Sequence, residues 1–205
     1  MAVLAATAEN LARAVETLRR GGLVVFPTET LYGIAAHIHS PEALERLGAL
    51  KGRGEQKPFG LILSSADEVD LLVSEVPPLA RRLMAQHWPG PLTLVLAAAP
   101  GLHPRLVSSN GGVGMRLSPH PVAATLAREL GSAITATSAN PAGADPPAQI
   151  DDLSPKIIRA VDIILDAGPC PGGPASTVLD ARTSPPILLR PGAVPIPGAR
   201  PPSDA

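Results

Sequence analysis

The chain has 205 residues, 45% of them hydrophobic and 17% charged, with a formal net charge of −1. That length, with a mean hydropathy of +0.20, fits one large domain or two small ones and excludes a disordered chain. Phe26, Tyr32, Phe59 and Trp88 are its only aromatics, which excludes a stacking platform for single-stranded nucleic acid, and the charge balance excludes a large basic face.

Thr7 can cap a helix whose Leu11, Ala14, Val15 and Leu18 share one face and which closes at Gly21-Gly22. "LVVF" (23–26) is a short apolar run, a buried strand cut off by Pro27. Ser40-Pro41 gives a second helix its cap and first-turn proline, with Leu44 and Leu47 inward, and that helix runs out near Lys51. The stretch "KGRGEQKPFG" (51–60) then sets Lys51, Arg53 and Lys57 against one carboxylate, Glu55. A helix C-terminus favours cations in any case, so by itself the stretch reads as a polar loop.

"GLILS" (60–64) reads as a strand, Ser65-x-x-Glu68 as a capping box opening a helix, and Pro78 to Trp88 as a helix stopped by Pro89-Gly90. Strands are expected at "LTLVLA" (92–97), "VGMRL" (113–117) and "AITAT" (133–137), with a helix from Pro121 to Leu130 closed by Gly131. Ser154-Pro155 starts a short helix, and "VDIIL" (161–165), "STVLD" (176–180) and "ILLR" (187–190) are the last strands. The alternation predicts an α/β domain over residues 1–195. Back-to-back strands near 92–117 and 161–190 suggest antiparallel pairs, hence a mixed sheet. From Pro191 the prolines exclude a helix or central strand, so a loosely packed or frayed Pro-rich tail is expected, 196–205 lying beyond the domain.

Cys170 stands alone, which excludes an intrachain disulfide and fits a reducing compartment; a structural thiol is expected there. No run reaches the roughly 18 apolar residues of a membrane span, and the N-terminus has helical rather than signal-peptide character, so a cytoplasmic protein is expected. Neither a phosphate-loop nor a dinucleotide glycine fingerprint occurs. His37 and His39 lack a third ligand at suitable spacing, so no protein-held metal is expected.

Four segments share a layout in which small or polar residues meet a strand end: "PTETLYG" (27–33), "TSANPAG" (137–143), "PASTVLD" (174–180) and "LLRPGA" (188–193). Strand ends of α/β sheets are where ligands sit. Arg116 interrupts an apolar strand, where an unpaired charge would cost several kcal/mol, so it requires an anionic partner, either a carboxylate of the protein or a ligand.

Taken in order, "FPTETLYG", "KGR", "VGMRLSPHP", "TSANPAG", "STVLD" and "LLRPGA" resemble the YrdC-like family, the threonylcarbamoyl-AMP synthases of tRNA modification, over about residues 8–195. The resemblance implies an open, twisted, mixed α/β sheet with helices around it and a central cationic cavity. It implies that L-threonine, bicarbonate and ATP, with Mg2+ arriving on the ATP, give threonylcarbamoyl-AMP and pyrophosphate. Other proteins would then pass the threonylcarbamoyl group to tRNA, with direct tRNA contact left open. By residue match, Thr30, Arg116 and Ser176 would hold threonine; Lys51, Arg53, Ser138, Asn140 and Arg190 would hold ATP; and Tyr32 would shape the pocket. The signature K-x-R…S-x-N set, Lys51, Arg53, Ser138 and Asn140, would carry the catalytic role by positioning and charge, without a serine or cysteine nucleophile.

Two departures stand out: Gly54 follows K-x-R where the family usually has proline, and the histidine that longer members carry after "KP" is missing. The chain also resembles the short, single-domain form rather than the longer one. Two other readings compete: a non-catalytic module for structured RNA, and a carbamoyl-transfer domain like those of hydrogenase-maturation proteins.

Overall fold

The computed structural model describes residues 1–52 and 57–202. β1 (Ala2–Ala5) leads into α1 (Ala8–Arg19), where Thr7 Oγ1 accepts a hydrogen bond from the Asn10 amide at 3.3 Å and Ala14, Val15 and Leu18 are buried. β2 (Val24–Phe26) and β3 (Gly33–Ala35) follow, then α2 (Pro41–Lys51), capped by Ser40 and ended by left-handed Gly52 at φ 58°. After β4 (Leu61–Ile62) a 3-10 turn (Ala66–Glu68) runs into the single-turn α3 (Val69–Leu72). Next come α4 (Pro78–His87), β5 (Leu92–Ala97), β6 (Gly112–Arg116) and α5 (Pro121–Leu130), the last closed by Gly131 at φ 74°. β7 (Ile134–Thr135), β8 (Thr137–Ser138), α6 (Pro155–Ala160), β9 (Ile163–Asp166), β10 (Thr177–Asp180) and β11 (Ile187–Arg190) complete the set.

The described strands form two mixed sheets where one was expected. The first runs β1-β9-β2-β3-β8 and the second β11-β10-β5-β6-β4-β7. The expected strand "AITAT" is the reason: it divides at Ala136, β7 pairing with β4 and β8 with β3. Thr135 ties the two together, its amide donating to the Ala36 carbonyl at 3.0 Å and its hydroxyl to the Ile34 carbonyl at 3.0 Å. Antiparallel pairing holds for β5 with β6 and for β10 with β11, whereas β9 and β10 lie in different sheets.

The inner strands of the first sheet, β9, β2 and β3, are buried on both faces, which explains their continuous apolar runs, whereas the edge strand β1 leaves Val3 exposed. Val24 and Phe26 turn with Ile163 and Leu165 toward α1 and α5, while Val25 and Ile164 turn to the larger core beside α2 and α6. Burying a side chain such as Leu18 contributes about 2 kcal/mol.

Two further expectations are corrected. Ser65 makes no capping bond; the Glu68 carboxylate instead accepts from the Ser64 amide at 2.7 Å and the Ala133 amide at 2.6 Å, tying the turn to the approach to β7. As far as Arg200 the tail is fastened rather than frayed. Val194 exchanges two hydrogen bonds with the Thr177 hydroxyl, Leu188 donates to the Arg200 carbonyl at 2.7 Å, and Ile196 and Ala199 pack on the core. Proline removes donors, but the apolar residues between the prolines still have a surface to cover. Among the described residues, no helix is long and apolar enough to cross a membrane.

Candidate active site

Beside the junction of the two sheets lies a cavity of about 360 Å3. Every second residue of β6 faces it, Gly112, Gly114 and Arg116, and the neighbouring strands add Thr93 from β5 and Val178 from β10. Ser138 of β8, Ser176 just before β10 and Arg190 of β11 add polar groups to the wall, as do Ser108 and Asn110. Three of the four hydroxyl- or cation-bearing strand ends therefore reach one hollow.

Arg116 finds a partner inside the protein. Its Nε donates to Glu29 Oε1 at 2.8 Å, and the Ser118 hydroxyl donates to Glu29 Oε2. Both side chains of the ion pair are nearly buried, at 9% and 12% exposure. Burial pushes the Glu29 carboxyl up, but the charge of Arg116 and the hydrogen bond from Ser118 outweigh it and hold the group below its ordinary value. His120, close by, is lowered because burial disfavours its charged form, with Glu29 opposing.

A second cluster sits across the cavity. Arg190 donates from Nη2 to the Ser176 carbonyl at 2.8 Å and to its hydroxyl at 3.1 Å. The Ser176 hydroxyl also lies 3.0 Å from that of Thr93. A hydroxyl has one hydrogen and two lone pairs, so an oxygen that accepts from Arg190 keeps one hydrogen to share with Thr93 or a ligand.

The third cluster explains the buried lysine. Lys51, only 1% exposed, donates from Nζ to the carbonyls of Ser138 at 2.7 Å and Asn140 at 2.5 Å, and to Asn140 Oδ1 at 3.2 Å. Asn140 Oδ1 also accepts from the Ser138 hydroxyl at 2.5 Å, and its Nδ2 donates to the Ala144 carbonyl. The K-x-R and S-x-N segments thus meet through Lys51.

The Sua5/YciO/YrdC family profile, described as "Telomere recombination", matches residues 16–192. The chain belongs to the Sua5/YciO/YrdC family. A putative threonylcarbamoyl-AMP synthase of Mycobacterium tuberculosis is 38% identical over 185 residues, covering 90% of this chain and 85% of its own. The threonylcarbamoyl-AMP synthase of Bacillus subtilis is 35% identical over 90% of this chain but only 54% of its own length. The crystal structure of P. abyssi Sua5 complexed with L-threonine superposes with a TM-score of 0.91 at 31% identity, covering 95% of this chain and 58% of that one.

Within this Sua5/YciO/YrdC domain the expected residues separate by position. Arg116, Ser138, Ser176 and Arg190 line the cavity. Lys51 and Asn140 stand behind Ser138 rather than on the lining. Thr30 is buried at 8% exposure and lies 3.2 Å from the Thr28 hydroxyl, off the cavity lining but next to Glu29. Arg53 lies outside the described residues. Tyr32 is fully buried off the lining; its hydroxyl donates to the Gly168 carbonyl at 2.7 Å, and burial pushes its pKa up to about 12.

Four residues escaped the sequence reading. Glu29 satisfies the partner demanded by Arg116, and Ser118 holds it. Thr93 is the lone hydroxyl in the apolar run "LTLVLA", a signal visible in the sequence. Arg182 also lines the cavity, paired with Asp180 at 2.6 Å and donating from Nη1 to the Asn110 carbonyl at 2.8 Å. Two of the cavity's arginines, Arg116 and Arg182, are thus charge-balanced by carboxylates, so the expected cationic character is muted at those points.

Proposed function

We propose that the chain is an L-threonylcarbamoyladenylate synthase, a nucleotidyltransferase that makes threonylcarbamoyl-AMP and pyrophosphate from L-threonine, bicarbonate and ATP. The observation that carries the reading is the convergence of Arg116, Ser138, Ser176 and Arg190, from four separate strand ends, on one cavity. The synthase names of the relatives, and the threonine complex of the Pyrococcus protein, support the same chemistry.

On this reading Arg116 receives the threonine carboxylate, Ser176 its polar groups, and Thr30 supports that end through the Glu29 turn. Arg190 and Ser138 face the triphosphate, Arg53 would bind it as well, and Lys51 and Asn140 act through Ser138. Threonine's amine and bicarbonate give a carbamate with loss of water. The carbamate oxygen attacks the α-phosphorus, forming one P–O bond as the bond to pyrophosphate breaks. No protein nucleophile is needed; the protein's part is to hold two anions in line and balance their charge. Mg2+ comes with ATP on its phosphates: among the described residues the cavity wall offers hydroxyls and an amide oxygen but no carboxylate, a poor donor set for a protein-only magnesium site. The product would be consumed by separate threonylcarbamoyl-transfer proteins acting on tRNA in the cytoplasm.

The test is pyrophosphate release by purified protein with Mg-ATP and bicarbonate, with and without L-threonine. Release that depends on threonine supports the synthase. Release independent of threonine, or none from folded protein, would falsify it.

A further inference from the structure

We propose that Glu29 and Ser118 are positioning residues that hold the Arg116 guanidinium open as a fork for the carboxylate of the amino-acid substrate. The proposal rests on the synthase reading and goes beyond it by naming what aims the arginine.

An arginine beside a carboxylate ordinarily closes a two-point pair, using two nitrogens and both oxygens. Here only Nε is engaged, by Glu29 Oε1 at 2.8 Å, because Oε2 is taken by the Ser118 hydroxyl. The terminal nitrogens of Arg116 make no hydrogen bond to any described residue, while the residue itself lines the cavity. They are not sealed in the interior either: among the described residues, the buried side-chain polar atom left without a partner is Thr137 Oγ1. The small part of Arg116 that remains accessible is therefore its outer edge, turned to the hollow.

Ser118 is 2% exposed, and its hydroxyl also accepts the His120 amide at 3.2 Å, which fixes its rotation at the start of α5. Glu29 is thus clamped from one side so that it can grip Arg116 by Nε alone. Removal of the Ser118 hydroxyl frees Oε2 to swing onto the terminal edge of the guanidinium and compete with the substrate. Loss of the Glu29 charge releases the guanidinium to rotate.

The experiment compares the wild-type protein with Glu29→Gln and Ser118→Ala, measuring L-threonine and Mg-ATP affinity separately by calorimetry, steady-state KM and kcat, and melting temperature. Both variants are expected to weaken threonine binding and raise its KM about ten-fold, the loss of one charge-assisted contact, with ATP affinity unchanged within about two-fold. A merely structural role would lower the melting temperature and weaken both ligands together, and that result overturns the proposal. Threonine binding as tight in both folded variants as in the wild type also overturns it while leaving the synthase reading intact. A wild-type protein that binds no threonine brings down both. Should Glu29→Gln fail to fold, Ser118→Ala alone decides, since it removes one hydroxyl and keeps the ion pair.

Discussion

The ammonium of Lys51 lies 2.5 Å from the carbonyl oxygen of Asn140, eighty-nine positions further along the chain. A buried cation at the end of α2 thereby fixes the turn that presents Ser138 to the cavity. Lys51→Met keeps the length and removes the charge, leaving the Ser138 and Asn140 carbonyls without that donor. Two unsatisfied buried acceptors cost on the order of 3 kcal/mol, a fall in melting temperature of about 6–12 °C for a chain of this size. Activity should be lost well below the new melting point, because Ser138 moves before the fold fails. An unchanged melting temperature would show that the lysine does not support the turn.

Much of this arrangement could be read in advance, for reasons that are local. The caps at Thr7 and Ser40, and the glycine stop at Gly131, are short-range chemistry and appear where the sequence puts them. β1 and β3 did not announce themselves, because three or four residues rich in alanine and glycine carry no clear alternation. Nor could the division of "AITAT": pleat alternation says which face a residue takes, not which sheet it joins. Arg116 demanded an anion on energetic grounds, yet its identity depended on Glu29, eighty-seven residues away, and only the fold could supply that.

Thr93→Val removes a hydroxyl and preserves shape. Thr93 is 8% exposed, and its oxygen shares a 3.0 Å hydrogen bond with Ser176 at the cavity wall. Without that bond, Ser176 keeps Arg190 as a donor but loses the group that fixes where its own hydrogen points. Threonine-dependent turnover should fall by about ten-fold, with a stability change of about 1 kcal/mol or less. Pyrophosphate release at the wild-type rate would show that the Thr93 hydroxyl plays no part.

The Asp180–Arg182 pair gives a pH dependence with a definite sign. Burial pushes the Asp180 carboxyl up, but hydrogen bonds from the Arg182 side chain and backbone, with its charge, outweigh that and hold it below its ordinary value. A carboxylate lowered by folding contributes stability above its unfolded-state pKa and loses it as pH falls through the folded-state value. Asp180→Asn should therefore destabilise most near neutral pH, and the gap from wild type should shrink below about pH 4. Melting curves at about pH 7 and about pH 3 measure it; a gap that is constant or widens in acid contradicts the assignment.

Gly114 separates the needs of the fold from those of the cavity. A Cβ built there would lie 3.4 Å from Thr93 Cγ2 and 3.6 Å from Val95 Cγ2, ordinary contact distances, so the strand itself does not require glycine. Gly114 also lies on the cavity side of β6, alternating with Gly112 and Arg116, so branched methyl groups would project into the space assigned to substrate. Gly114→Val should leave the melting temperature unchanged or raise it, since a β-branched residue suits a strand better than glycine by about 1 kcal/mol. Turnover, by contrast, should fall about a hundred-fold, the effect of displacing reactants by an ångström or so. Gly114→Ala should lie between the two. A valine variant that melts like the wild type and turns over like it would mean that the chemistry happens elsewhere on the molecule.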